Sequence, residues 1–67
     1  MQLSARNQLA GKVKSVKLGS IMAEVVIDVA GNEIVAEISR GSAKRLKLKK
    51  GDAVTAIIKS TEVIIGK

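Results

Sequence analysis

The sequence predicts a single all-β domain, a five-stranded barrel with one short helix between the third and fourth strands. Apolar residues, many of them β-branched, alternate with polar residues along several segments, which is the pattern of strands with one buried face. Short segments that contain glycine separate these runs and are suited to turns. The length of 67 residues allows one domain, spanning residues 1–67, and no second one.

The first two strands are predicted at residues 9–18 and 21–29, with a turn at Gly19 and Ser20 between them. We expect Gly11 to mark a kink or a bulge in the first strand, because a glycine inside a strand pattern often does so. Alternation is clearest in the second strand. Its inward face is predicted to consist of Ala23, Val25, Ile27 and Val29.

A turn at residues 30–32 (Ala-Gly-Asn) connects the second strand to a third strand at residues 33–38. Glycine and asparagine tolerate the positive φ angles of tight hairpin turns, so we expect a β-hairpin here. After this hairpin, Ser42 can cap a short helix within residues 40–48. The inward face of the third strand is predicted to consist of Ile34, Ala36 and Ile38.

The last two strands are predicted at residues 54–59 and 62–65, with a turn or bend at Ser60 and Thr61. In the fourth strand, Val54, Ala56 and Ile58 share one face. Five strands with a short helix between the third and the fourth match the outline of an OB-fold barrel.

The chain is small and lacks the usual covalent and metal-based means of stabilising a small domain. It contains no Cys and no His, which excludes disulfides and the common zinc sites. Val35, Ile57 and Ile64 also fall on faces opposite the predicted core, where a monomeric barrel should be polar. The sequence therefore favours a homo-oligomer in which these side chains are covered.

A formal charge of +6 and a pI near 10.1 indicate an anionic partner. Six of the basic residues lie within residues 40–50, so one hypothesis is a basic OB module that binds nucleic acid through phosphate contacts. The absence of aromatic side chains argues against it, because OB-folds that hold single strands stack bases on aromatic rings. A solvated face that keeps the protein soluble is the alternative interpretation of this segment.

The same composition argues against catalysis and against a membrane. There is no His or Cys, and the six carboxylates are scattered, so no pairing of a nucleophile with a base can be identified. No apolar run approaches the ~20 residues that span a bilayer. The first residues lack the apolar stretch of a secretion signal. We therefore expect a non-enzymatic protein of the cytoplasm.

Two polar segments carry hydrogen-bond donors that suit a small oxyanion. Residues 4–9 (Ser-Ala-Arg-Asn-Gln-Leu) precede the first strand, and residues 59–61 (Lys-Ser-Thr) lie between the last two strands. Together they offer a guanidinium, an ammonium, hydroxyls and backbone N–H groups. Spacing alone does not place the two segments side by side, and the alternative for the first is a capped strand start with a surface arginine.

The first of these segments, followed by Gly-Lys-Val at residues 11–13, resembles the opening signature of the molbindins. These are small cytoplasmic molybdate-binding proteins, also called molybdenum-pterin-binding (Mop) proteins. The resemblance continues through residues 23–25 (Ala-Glu-Val), residues 59–61 and Val63. It covers essentially the whole chain, whose length matches a single free-standing module.

This resemblance implies an OB-like barrel that assembles into a homohexamer, a trimer of dimers, with molybdate or tungstate bound at subunit interfaces. It implies storage or buffering of the anion for cofactor synthesis, with molybdenum held only as an oxyanion and no metal ion ligated by side chains. Arg6 and Lys59 would supply charge, and hydroxyls and backbone N–H groups would complete the site. The positions that match the family motif are Ser4, Ala5, Arg6, Lys59 and Ser60.

A second class of site in this family lies nearer the three-fold axis and uses the turn into the second strand together with small polar residues. The chain departs from the family pattern at Ala10, where members often carry lysine, and at residues 40–50, where relatives often carry acids. The second departure keeps the nucleic-acid hypothesis open. The weaker candidates for the second site are Ser20, Met22, Ser39 and Ser42.

Overall fold

The computed structural model describes residues 1–67 and contains a four-stranded antiparallel sheet with one short α-helix. The strand order is β3-β2-β1-β4, so β3 and β4 form the two edges. Neither helical segment has the length and apolar character that a bilayer-spanning helix requires. The elements are β1 (Asn7–Leu18), β2 (Met22–Val29), β3 (Asn32–Ser39), α1 (Arg40–Arg45), β4 (Ala53–Ile58) and a 3-10 turn, Ser60–Glu62.

The core lies on one face of the sheet and is built from small and β-branched side chains. Val13, Val25, Ile27 and Ala56 form a buried cluster that joins β1, β2 and β4. The alternation predicted for the second and third strands is confirmed, because their inward residues are buried or pack against this cluster. The partly buried residues around the cluster include Val16, Val29, Ile34, Ala36, Ile38, Leu48 and Val54.

The predicted hairpin turn connects β2 to β3, but Asn32 is not one of its central residues. Ala30 has φ 50° and Gly31 has φ 87°, so both central residues lie in the left-handed region, as in a type I′ turn. Asn32, which was expected to help form the turn, is instead the first residue of β3. Gly31 N donates a hydrogen bond of 3.0 Å to Asp28 Oδ1, which fixes the turn to the end of β2.

The bulge in β1 lies at Lys14, so the prediction of a bulge at Gly11 is wrong. Val13 pairs with Ile27 and Ser15 pairs with Val26, so Lys14 is the extra residue. Gly11 serves a different purpose, because a Cβ there would lie 2.5 Å from the carbonyl oxygen of Asp28 and 2.9 Å from Ile27 Cγ2. Only glycine lets β1 approach β2 this closely.

The bulged residue makes one of the two ion pairs in the molecule. Lys14 Nζ donates a hydrogen bond to Glu33 Oε2 across the intervening strand β2. This hydrogen bond, followed by the attraction of the Glu33 carboxylate, raises the pKa of Lys14 above its ordinary value. The pair is solvent-exposed and therefore contributes little to stability.

The helix α1 begins earlier than predicted and is capped by a different serine. Ser39, the last residue of β3, has extended backbone angles and its Oγ accepts a 3.0 Å hydrogen bond from Ser42 N. The prediction that Ser42 caps the helix is therefore wrong, since Ser42 lies inside α1. The cap joins strand to helix with no intervening loop and closes the end of the core with Ala43, which is buried.

The fifth strand predicted at residues 62–65 is not formed within a single chain, and the sheet does not close into a barrel. Residues 63–67 have no regular structure, and the side chains of Ile64 and Ile65 are 91% and 85% exposed. The inner face of the sheet instead borders an apolar cavity of about 300 Å³. A lone chain thus has an apolar interior without a closing strand, and an apolar tail that does not pack on it.

Candidate oxyanion site

The sheet brings together the two polar segments that the sequence could not place. In the antiparallel pairing of β1 with β4, Asn7 lies opposite Ile58. Arg6 immediately precedes Asn7 and Lys59 immediately follows Ile58, so the register continues into the two segments. The start of β1 and the end of β4 therefore present Arg6 and Lys59 at the same end of the sheet.

Local hydrogen bonds shape both segments. Gln8 Nε2 donates a 2.6 Å hydrogen bond to the carbonyl oxygen of Ala5, which bends the chain before β1. Lys59 is extended and stands at the start of the 3-10 turn, where Glu62 N donates a 2.9 Å hydrogen bond to the carbonyl oxygen of Lys59.

The donors at this end of the sheet have no carboxylate partner within the chain. The two ion pairs of the molecule involve Lys14 and Lys49, and neither Arg6 nor Lys59 takes part in one. Ser4, Arg6, Lys59 and Ser60 are exposed, whereas Ala5 is half-buried. The arrangement is one wall of donors facing solvent, which can bind an anion but does not enclose it.

The four weaker candidates lie at the other end of the 12-residue strand β1. Met22 pairs with Ser39 across β2 and β3, and Ser39 Oγ donates a 2.8 Å hydrogen bond to Ser42 Oγ. Ser20 and Met22 line an open cavity of about 420 Å³. The structure thus brings Met22, Ser39 and Ser42 together and places Ser20 in the adjacent turn, although the Ser39 hydroxyl already caps α1 and the Ser42 hydroxyl accepts a hydrogen bond from it.

Arg40 also belongs to this second cluster, although the sequence analysis did not name it as a site residue. Its backbone N donates a 2.8 Å hydrogen bond to the carbonyl oxygen of Ile21, and its Nη1 donates a 3.0 Å hydrogen bond to that of Gly19. Its position directly after the last serine of β3 is the signal that could have identified it. The cavity beside Ser20 and Met22 is lined by one cation, Lys17, and by Glu24 and Glu37, whose carboxylates oppose a dianion.

No group of three or more carboxylate, His or Cys side chains in the chain could hold a metal ion. The candidate site at the start of β1 is instead a set of neutral and cationic donors. Such a set binds an anion through its oxygen atoms, because Arg, Lys and backbone N–H groups only donate hydrogen bonds.

Comparison with known proteins identifies the family. Residues 3–65 match the TOBE domain model. The chain is 53% identical over 66 residues to molybdenum-pterin-binding protein 1 of Clostridium pasteurianum, covering 97% of both chains.

Two solved structures share the fold. One is a molybdate-binding protein from Sporomusa ovata, with a TM-score of 0.94 and 43% identity over the whole of both chains. The other is the cytoplasmic molybdate-binding protein ModG in a form with molybdate bound, with a TM-score of 0.89 and 38% identity. It matches 96% of this chain and 46% of its own length. The chain therefore belongs to the TOBE domain family and, within it, to the small molybdenum-pterin-binding (Mop) proteins.

Proposed function

We propose that this protein binds molybdate, or its congener tungstate, at interfaces between subunits of a homo-oligomer and so stores or buffers the anion in the cytoplasm. It acts as a binding protein rather than as an enzyme. The names of the relatives support the ligand, and one structural relative is described as cytoplasmic. The observation that carries the proposal is the pairing of Asn7 with Ile58, which places both halves of the donor motif at one end of the sheet.

The proposed site consists of Ser4, Ala5, Arg6, Lys59 and Ser60. Arg6 and Lys59 supply two positive charges for a dianion, and the hydroxyls and backbone N–H groups supply neutral donors. Molybdate at neutral pH is fully deprotonated, so each of its oxygens accepts hydrogen bonds. A protonated phosphate would direct an O–H toward groups that only donate, and leaving that O–H unpaired is costly. Discrimination against sulfate must come from the size of the completed site.

Assembly completes both the barrel and the site. The exposed wall of donors at Arg6 and Lys59 needs a second wall to remove the anion from water, and a second copy of the chain can supply it. The outer edges of β3 and β4 are unpaired, and the apolar tail at residues 63–65 is unpaired in its own chain. We propose that a partner's tail pairs with these open edges as the fifth strand, giving the closed OB-like barrel.

The proposed final assembly is a homohexamer, built as a trimer of dimers, as the family resemblance implies. Besides the tail, Val35 and Ile57 are exposed in the single chain and become covered in such an assembly. Because the anion binds only the assembled form, its occupancy stabilises the oligomer by mass action. Ser20, Met22, Ser39 and Ser42 are proposed as residues of a second class of anion site that neighbouring copies complete.

The experiment that tests the site compares two variants that remove the same charge. Arg6→Gln removes the guanidinium from the proposed site, whereas Lys12→Gln removes a cation from the middle of β1, away from it. Calorimetric titration with molybdate should show a loss of affinity of at least about tenfold for Arg6→Gln, since a hydrogen bond to a charged group is worth ~1.5–3 kcal/mol. Lys12→Gln should bind nearly as the parent protein does.

Circular dichroism and sedimentation of both variants separate a lost contact from a lost fold. If Arg6→Gln folds, assembles and binds molybdate with unchanged affinity, Arg6 is not part of the site. If both variants weaken binding equally, the anion responds to overall charge and not to this segment.

A further inference from the structure

The molecule carries a second cationic surface that the proposed anion site does not use. It comprises the end of α1 and the loop that leads to β4, and we call it the basic loop (residues 44–50). Lys44, Lys47 and Lys50 are exposed and form no ion pair, while Lys49 is 4.0 Å from the carboxylate of Asp52. The surface thus holds several cations whose charge is not neutralised within the chain. Its basic residues are Lys44, Arg45, Lys47, Lys49 and Lys50.

The basic loop is held in a defined shape by backbone hydrogen bonds at both ends. Leu46 N donates a 2.9 Å hydrogen bond to the carbonyl oxygen of Ser42, and Leu48 N donates one of 3.1 Å to that of Ala43. At the other end, Gly51 N donates a 2.8 Å hydrogen bond to the carbonyl oxygen of Val13 in the core strand β1. The loop is therefore anchored, and a ligand that binds it does not have to order it first.

An apolar groove of about 650 Å³ runs beside the basic loop. Leu46 lies in its wall and is 61% exposed although cations flank it on both sides. Residues of the loop, β1 and β4 all contribute to its lining. The one charged residue of the lining is Asp52, whose carboxylate lies 4.0 Å from Lys49 Nζ. Its apolar lining includes Met1, Ala10, Leu46, Leu48 and Val54.

We propose that the basic loop and this groove bind an acidic peptide segment of another protein, one in which apolar side chains are interspersed with carboxylates. The lysines fit the carboxylates by charge, and the groove with Leu46 fits the apolar side chains. A nucleic acid backbone matches the charge but has no group for Leu46, and the chain offers no aromatic ring on which bases could stack. The position beside β4 leaves the donors at Lys59 free, so the peptide and the oxyanion occupy different sites.

The test uses labelled peptides and fluorescence anisotropy with the assembled protein. The first probe is a fluorescein-labelled peptide of mixed Glu and Leu residues, and the second is the same peptide with every Leu replaced by Ser. A short DNA duplex and vesicles containing phosphatidylserine are the competing anionic surfaces. The affinities of the two peptides, the duplex and the vesicles for the protein are compared at one ionic strength near 0.15 M, because low salt exaggerates the attraction between exposed charges.

Two variants and one control locate the contact. The triple variant Lys44→Gln, Lys47→Gln, Lys50→Gln should weaken the Glu/Leu peptide by about tenfold, because exposed ion pairs contribute ~0.2–1 kcal/mol each. Leu46→Ser should weaken the Glu/Leu peptide and leave the Glu/Ser peptide unchanged. The control triple variant Lys12→Gln, Lys14→Gln, Lys67→Gln removes the same charge from other surfaces and should bind like the parent protein.

The proposal is supported if the parent protein binds the Glu/Leu peptide more tightly than the Glu/Ser peptide, the duplex and the vesicles. Equal affinity for the two peptides would show that the groove takes no part. Tighter binding of the duplex or the vesicles would assign the surface to those anions instead. Weakening by the control variant as large as by the basic-loop variant, or no binding of any probe, would also overturn the proposal.

Discussion

Replacing the two exposed isoleucines of the tail by serine should dissociate the assembly. Ile64 and Ile65 are 91% and 85% exposed in the single chain, so nearly their whole surface is available for burial between copies. Complete burial of such a side chain is worth ~1.5–3 kcal/mol, which gives about 3–6 kcal/mol for the pair in each tail. Each 1.4 kcal/mol is about a factor of ten in an equilibrium constant, so the dissociation constant should rise by at least about 100-fold.

Sedimentation equilibrium over a range of protein concentrations measures this change directly. Lys67→Ser, at the end of the same tail, is the control and should assemble like the parent protein. The doubly substituted chain should also lose molybdate affinity, since the proposed site lies between copies. An unchanged distribution of oligomers would show that the tail is not buried on assembly. Dissociation with full retention of molybdate binding would show that one chain alone forms the site.

Three further substitutions test the fold, each by urea unfolding at fixed protein concentration. Ala30→Asn should stabilise the protein by about 0.5–1 kcal/mol, because Ala30 has φ 50° and asparagine tolerates this conformation better; a loss of stability would contradict the assigned turn. Gly11→Ala should destabilise by about 1–3 kcal/mol, since the added Cβ meets the Asp28 carbonyl oxygen at 2.5 Å; a neutral result would show that β1 can move away. Ser39→Ala should cost about 1 kcal/mol through loss of the helix cap, whereas equal stability would assign the cap elsewhere.

The sheet could be predicted from the sequence because its pattern is local. Val25 and Ile27 alternate with charged or outward residues. In a strand with one buried face, this two-residue period puts both apolar side chains in the core in only one orientation of the strand. The turn at Gly31 was also predictable, since a two-residue hairpin turn needs positive φ. Element bounds differed by one or two residues, as is normal where strands end gradually.

The errors occurred where a residue's role depends on a distant part of the chain. Gly11 was predicted as a kink or a bulge because a glycine inside a strand often marks one, but its role is set by how closely the backbone of β2 approaches it. The extra residue is Lys14, which looks like any outward lysine in the sequence. Ser39 and Ser42 are both acceptable caps by residue type, and the choice between them depends on where β3 ends.

The fifth strand illustrates the same limit at the level of the whole fold. The pattern at residues 62–65 has strand propensity, but a strand needs a partner to satisfy its backbone groups. Within one chain the tail pairs with no other strand, so it forms no strand despite its propensity. A sequence pattern indicates that a segment can form a strand. It does not indicate whether the neighbouring strand comes from the same chain or from another copy.

The candidate site was predicted through its family motif and not through spacing. Residues 4–6 and residues 59–60 are far apart in the sequence, and only the register of β1 with β4 brings them together. Arg40 was missed because its hydrogen bonds to Gly19 and Ile21 join elements whose packing the sequence does not show.

The most direct test of the central claim is calorimetric titration of molybdate into the purified protein with sulfate in large excess. We expect saturable binding of micromolar affinity or tighter, with a stoichiometry that reflects sites shared between copies. Addition of molybdate should also raise the midpoint of thermal unfolding, because a ligand that binds only the folded, assembled protein stabilises it by mass action. A flat titration from protein that is folded and oligomeric would contradict the proposed oxyanion function.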